Sequence, residues 1–233
     1  MGSSPIQPHH LPRPSQNAPY LVALTIAPLI NLSISIDIFN NFNRVSKYQL
    51  PIVNWIASLS EFMLGGILVL LAINLLRTFF LGHHHIRKTL LAFGILSTLY
   101  WLLNIITVTV GIHSFNAGSF FLLKIATGLY CSLNMIFLFW YWFIDYPGQV
   151  RHLHVPDHPC EIVFPTESAM VKPRRPPGFL DYLYLTVMTS NTLGPPENHS
   201  PSGARVKGLQ LLHSSMMLVL LGIVISRAVN TLN

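Results

Sequence analysis

Few side chains in this chain of 233 residues are of a kind that does chemistry, and most of those stand alone. His83, His84 and His85 are consecutive. Imidazole is a common metal ligand, but neighbouring positions point in different directions and no acidic residue lies nearby. The triplet reads as a solvated turn, with no metal. His213 sits alone in an apolar run. A membrane haem needs a second facing histidine, and none is evident, so His213 reads as a hydrogen-bonded packing residue. Cys131 lies in an apolar run and Cys160 in a polar stretch, with no Cys-x-x-Cys, which argues against a disulfide framework or zinc. Glu61 and Lys124 are the charges deepest in apolar runs. Intramembrane charges pair or face the bundle interior, so the two are expected to pair, or Glu61 to line a polar cavity while Lys124 snorkels from a helix end. Nucleophile elbow, Gly-rich phosphate loop and paired carboxylates are all missing. The sequence therefore predicts no enzyme and no cofactor.

The elements that must position these residues follow from composition. The chain is 51% hydrophobic and only 9% charged, where soluble domains carry about a quarter charged residues. That predicts an all-α integral membrane protein. A net charge of +6 without any long Lys/Arg run points to loop topology and lipid contact rather than nucleic acid. About 20 apolar residues cross a bilayer as a helix. Five runs reach that length: about 20–39, 52–80, 89–112, 118–144 and 208–229. The expected organisation is a disordered tail over 1–18, four transmembrane helices within 19–144, a polar extramembrane connection over 145–177, and a C-terminal module over 178–233. The connection holds eight charged residues and seven prolines, which predicts little helix.

The C-terminal module contains the stretch that ordinary membrane helices do not explain, "DYLYLTVMTSNTLGPPE" over 181–197. Asp181 near a helix start, after Pro176-Pro177, favours a short helix of about three turns. Two placements fit it. It can lie flat in the interface, or it can re-enter the membrane, where irregular backbone is tolerated only inside protein or beside water.

These residues resemble the pore loop of potassium-channel-like proteins of the two-transmembrane ion-channel superfamily. Asp181 stands for the family's starting acid, Leu183-Tyr184 for its Leu-Tyr, Thr186-Val187 where Ser-Val is common, and Thr189 for its next Thr. Thr192-Leu193-Gly194 stands for Thr-Val-Gly, in register over 17 residues without a gap. Ser226-Arg227-Ala228-Val229 resembles the end of the pore-lining helix. The resemblance covers about 160–233. It implies a pore helix carrying Asp181, Tyr184 and Thr189, and a filter built from Thr192, Leu193, Gly194, Pro195, Pro196 and Glu197. It further implies a homotetramer in contact with membrane lipid, passing monovalent cations (potassium foremost), as a multi-pass protein of a bacterial inner membrane. The sequence departs from the family at Pro195 and Pro196, which replace Tyr and the second Gly. Pro is locked near φ of about −65° and lacks an N–H, so Pro196 cannot copy that glycine and potassium selectivity is put in doubt. Glu197 takes the place of the acid beyond the filter. "FLDYLYLTVMT" and "SRAVN" also resemble an uncharacterised bacterial family with four helices, a polar connection, a short helix and a terminal helix. That likeness implies a non-conducting structural or regulatory relative.

Charge and resemblance disagree on orientation. Arg77, Arg87 and Lys88 favour a cytoplasmic 77–88 turn, whereas a channel-type pore loop enters from outside and places that turn outside. We take the channel geometry. A cysteine replacing His84 is then labelled by an impermeant reagent on intact cells, and its protection contradicts that orientation.

Overall fold

Backbone in hydrocarbon must satisfy its own hydrogen bonds, so apolar stretches of this length fold as helices. The computed structural model describes residues 14–45, 51–76, 86–114, 119–155, 159–165 and 175–230. In chain order the elements are α1 (Pro14–Val45), α2 (Pro51–Leu76), α3 (Ile86–Ser114), α4 (Ser119–His154), β1 (Ile162–Val163), α5 (Phe179–Thr192), β2 (Ser200–Pro201) and α6 (Ala204–Asn230). Five of the helices, all but α5, are long and apolar enough to cross a membrane. The chain is an all-α multi-pass membrane protein. The His83–His85 triplet lies outside the described residues.

Two boundaries differ from the sequence expectation. Helix α1 begins at Pro14, inside the stretch expected to be a tail, and α4 continues past residue 144 to His154 through Pro147. Asp145, the first residue of the stretch expected to be an extramembrane connection, is wholly buried, as is Gln149 one turn later. Both find hydrogen-bond partners on the chain segment that follows α4, so this face of the helix is covered rather than solvated.

Helices α1, α3 and α4 form the inner bundle, with α2 laid on α3 and α6 on α4. Small residues set the closest approaches. A Cβ on Gly94 of α3 would stand 2.5 Å from Phe139 Cε1, and one on Gly128 of α4 would stand 2.8 Å from Ile34 Cδ1. Aromatic rings gather where α1 starts and α4 ends. Tyr20 stacks on Trp142 at 4.4 Å and meets Phe179 and Tyr182 edge-on, while the Arg87 guanidinium lies 5.3 Å from the Phe143 ring centre. Such amphipathic rings suit a membrane boundary. Burial is uneven: half of the apolar stretch of α1 is buried, but only 17% of those of α2 and α6.

The expected Glu61–Lys124 pair is not formed. Lys124 Nζ instead meets Asp37 Oδ2 at 2.5 Å, and Glu61 is exposed on α2. The reason is helix placement: α4 runs antiparallel along α1, which brings the start of one beside the end of the other, whereas α2 packs chiefly on α3. Reversing either charge alone is expected to cost on the order of 1 kcal/mol of unfolding free energy. The double reversal D37K/K124D should recover most of it. Pairing K124E with E61K should not, and equal rescue by both pairs contradicts this assignment.

Candidate functional site

The site grows from Asp145. A buried carboxylate needs several donors to remain in place. Asp145 Oδ2 accepts from the Tyr182 hydroxyl of α5 at 2.7 Å, and Oδ1 accepts from the Ile162 backbone N–H of β1 at 2.9 Å. Gln149 Nε2 donates to the Ile162 carbonyl at 2.6 Å and lies 3.4 Å from Asp145 Oδ1. Cys160 Sγ reaches Gln149 Oε1. One turn of α4 thus holds both the returning strap and the start of α5. Helix α5 starts at Gly178, whose N–H donates to the Asp181 carboxylate at 2.7 Å. The acid expected at the helix start is therefore its cap as well as its dipole partner.

A second polar chain holds the far end of α5. Asn134 Nδ2 donates to the Tyr130 carbonyl at 2.9 Å, which orients its Oδ1 toward Ser190. That oxygen only accepts, so the Ser190 proton goes to Asn134, at 2.9 Å. His213 Nε2, 2.8 Å from Ser190 Oγ, must then be the donor, and Nδ1 accepts from the Tyr141 hydroxyl at 3.3 Å. The Phe137 ring stacks on the imidazole at 4.1 Å. Ser190 and His213 thus form a close pair in which the imidazole nitrogen facing the hydroxyl carries the proton. The nearby crevice beside Tyr141, Leu185, Pro195 and Gln210 has about 10 Å³ of room, enough for a single water.

These contacts also fix how far α5 travels. Tyr182 bonds to Asp145 and Ser190 to Asn134, so α5 descends antiparallel to α4 over its residues 145 to 134. At 1.5 Å per residue that is roughly 16 Å, about half a hydrocarbon core. The chain then turns back. Leu193 takes the left-handed conformation (φ 56°) that ends the helix, and Asn198 does the same at φ 61°. Glycine usually fills such a helix end, yet Gly194 lies one residue further on. The return is fastened by β2 on β1 and by the Ser202 and Gly203 N–H groups on the Glu161 carbonyl. The Ser202 hydroxyl bonds to the Cys160 carbonyl.

Most of the sequence-derived residues come together here, with Asp181, Tyr184 and Thr189 on the short helix. Thr189 is buried within α5, and Tyr184 is half exposed on its outer side beside His199. Thr192 is the last residue of the helix rather than the first of an extended filter. Its hydroxyl proton is shared between the Met188 carbonyl at 2.8 Å and the Gly194 carbonyl at 3.0 Å. Leu193 and Glu197 are exposed, Pro195 is exposed, and Pro196 is buried. Glu61 lies on α2, and Lys124 lies near the start of α4, where it pairs with Asp37. Sequence reasoning missed Asp145, Gln149, Asn134, Ser190 and Tyr141. The available signal was an acid at the end of an aromatic-rich run, "FWYWFIDY", with an amide one turn later. No protein-family profile, curated protein or solved structure matches this chain.

Replacing Tyr182 with Phe removes a donor from a buried carboxylate and should cost roughly 1–3 kcal/mol. Denaturant titrations of the wild type and Y182F at neutral pH check this, and equal stability of the two contradicts the coupling.

Proposed function

We propose that this chain is an ion-channel-like membrane protein whose C-terminal module, α5, its return loop and α6, assembles around a shared axis as a homo-oligomer, a tetramer by resemblance. One observation carries the reading: α5 stops about halfway along α4 with Asn191, Thr192 and Leu193 exposed. Polar side chains and irregular backbone at that depth are stable only within protein or beside water. Within a single copy the Tyr130 hydroxyl donates to Asn191 Oδ1 at 2.8 Å and the Thr192 hydroxyl bonds to nearby carbonyls, yet the tip stays uncovered, and an assembly with a wet axis covers or hydrates it. The C-terminal end of α5 carries partial negative charge, and the exposed Glu197 adds a carboxylate above it, which favours cations. In this reading cations pass Thr192, Leu193 and Gly194, with α6 lining the onward path.

The uncovered face of α6 supports assembly. Gly208, Ser215 and Gly222 are exposed at seven-residue spacing, interleaved with Leu211, Leu218 and Ile225, also exposed. Small residues gain nothing from lipid but let a second helix approach closely. Large and small positions in this order suit knobs packing into holes. The narrow crevice supports a protein without catalytic chemistry.

A second reading, a non-conducting relative that keeps the loop for packing, is favoured by the carbonyls of the return. Gly194 O accepts from Thr192 Oγ1, Pro196 O from the His199 N–H at 3.1 Å, and Glu197 O faces His199 Nδ1 at 3.1 Å. Oxygens engaged in this way are poorly placed to replace an ion's hydration shell.

Purified protein in liposomes separates the two. The channel reading predicts potassium or sodium flux that falls at least tenfold in G194W, a site where added bulk meets no neighbour within 4 Å. It also predicts a tetramer by mass and oxidative cross-linking of S215C between copies. A monomer without flux at any voltage or pH contradicts it and leaves the second reading.

A further inference from the structure

The first four helices contain a polar site that the pore-loop module does not use. It starts at Pro28, inside α1 near the middle of its apolar stretch, Ala18–Ile38. Proline has no N–H, so the Leu24 carbonyl loses its helical partner. One turn beyond Pro28 stands Asn31, wholly buried, with neither Oδ1 nor Nδ2 hydrogen-bonded to protein. Leu24 and Asn31 are seven residues apart and share one helix face. Side chains on a helix tilt toward its N-terminus, which carries the Asn31 carboxamide back toward the freed carbonyl.

Helix α3 completes the site. Asn104 Nδ2 donates to the Asn31 backbone carbonyl at 3.2 Å, and Ser35 Oγ donates to Asn104 Oδ1 at 3.1 Å. These bonds set the register of the two parallel helices. Ser97, seven residues before Asn104 on the same face, therefore stands level with Leu24 and Pro28. It too is wholly buried, and its hydroxyl has no protein partner. By this register three groups lie along the facing sides of α1 and α3 near mid-span: a carbonyl acceptor, a carboxamide able to donate and accept, and a hydroxyl. Unsatisfied polar groups are costly in hydrocarbon, and prolines in membrane helices are tolerated where side chains or ordered water restore the lost bonds.

We infer that Leu24 O, Asn31 and Ser97 form an internal binding site for water between α1 and α3. A water makes two to four hydrogen bonds in such sites, and these groups offer that number with both donor and acceptor character. Nothing larger is called for, and no charged group among the described residues points to an ion there.

Radiolytic footprinting of the intact protein in nanodiscs tests the inference, because hydroxyl radicals made from bound water oxidise the side chains beside it. Tyr100 and Trp101 lie on the turn of α3 between Ser97 and Asn104, at 1% and 2% exposure. The site predicts that at least one of them is oxidised in the folded protein, and that N31L/S97A lowers this at least tenfold. Trp55, 67% exposed, should be oxidised equally in both. P28A gives a milder second arm: returning an N–H to the Leu24 carbonyl should reduce the signal without emptying the core of polar groups. Background oxidation of both rings in the wild type overturns the site. So does a signal that neither N31L/S97A nor P28A changes.

Discussion

A carboxylate buried against the end of a membrane helix has to be met by donors, and the C-terminal third of this protein is organised by how Asp145 is met. The Ile162 N–H brings the strap across α4, and the Tyr182 hydroxyl brings α5 down beside it. Removing either partner leaves a charge in a place where it is expensive. From that fixed point α5 has one direction available, along α4 toward Asn134, where Ser190 and His213 hold its other end. Depth, direction and the place of the turn all follow from these two anchors.

The anchors also explain why a short helix is stable here. Fourteen residues are marginal as an isolated helix. Capping of Gly178 by Asp181, burial of Tyr182 and Leu185, and the polar contacts at Ser190 supply what length does not. The cost appears at the end, where Leu193 occupies a left-handed conformation that disfavours a side chain by roughly 1–2 kcal/mol. Strain of this kind is held where surrounding structure over-determines it, and here the strap on β1 and the bond from Thr192 to Gly194 do so.

Much of this was legible in the residues. Apolar run length gave five spans, because hydrocarbon thickness sets helix length in the same way for any sequence. Asp181 after a pair of prolines located the start of α5 to within a few residues. The course of the polar groups was not legible. Asp145 opens a stretch whose charges and prolines read as an extramembrane connection, and only its partners, 17 and 37 positions away, show that it is buried. Lys124 was likewise assigned to the wrong acid. Pairing depends on which helices are neighbours, and five similar apolar helices carry little information about that order. The helix end at Thr192 was not legible, because a left-handed leucine is not something a sequence pattern suggests.

The reading rests on the claim that the tip of α5 faces water at mid-membrane depth. Cysteine accessibility measures this directly in a background with Cys131 and Cys160 replaced. Thr192, at the tip, and Val219, on the outer face of α6, are both exposed in a single copy. If the tip lines a wet axis, T192C reacts readily with a small, charged thiol reagent added to reconstituted protein, while V219C, facing lipid or a neighbouring copy, is protected. Equal protection of both positions contradicts the account and leaves the tip packed away from water.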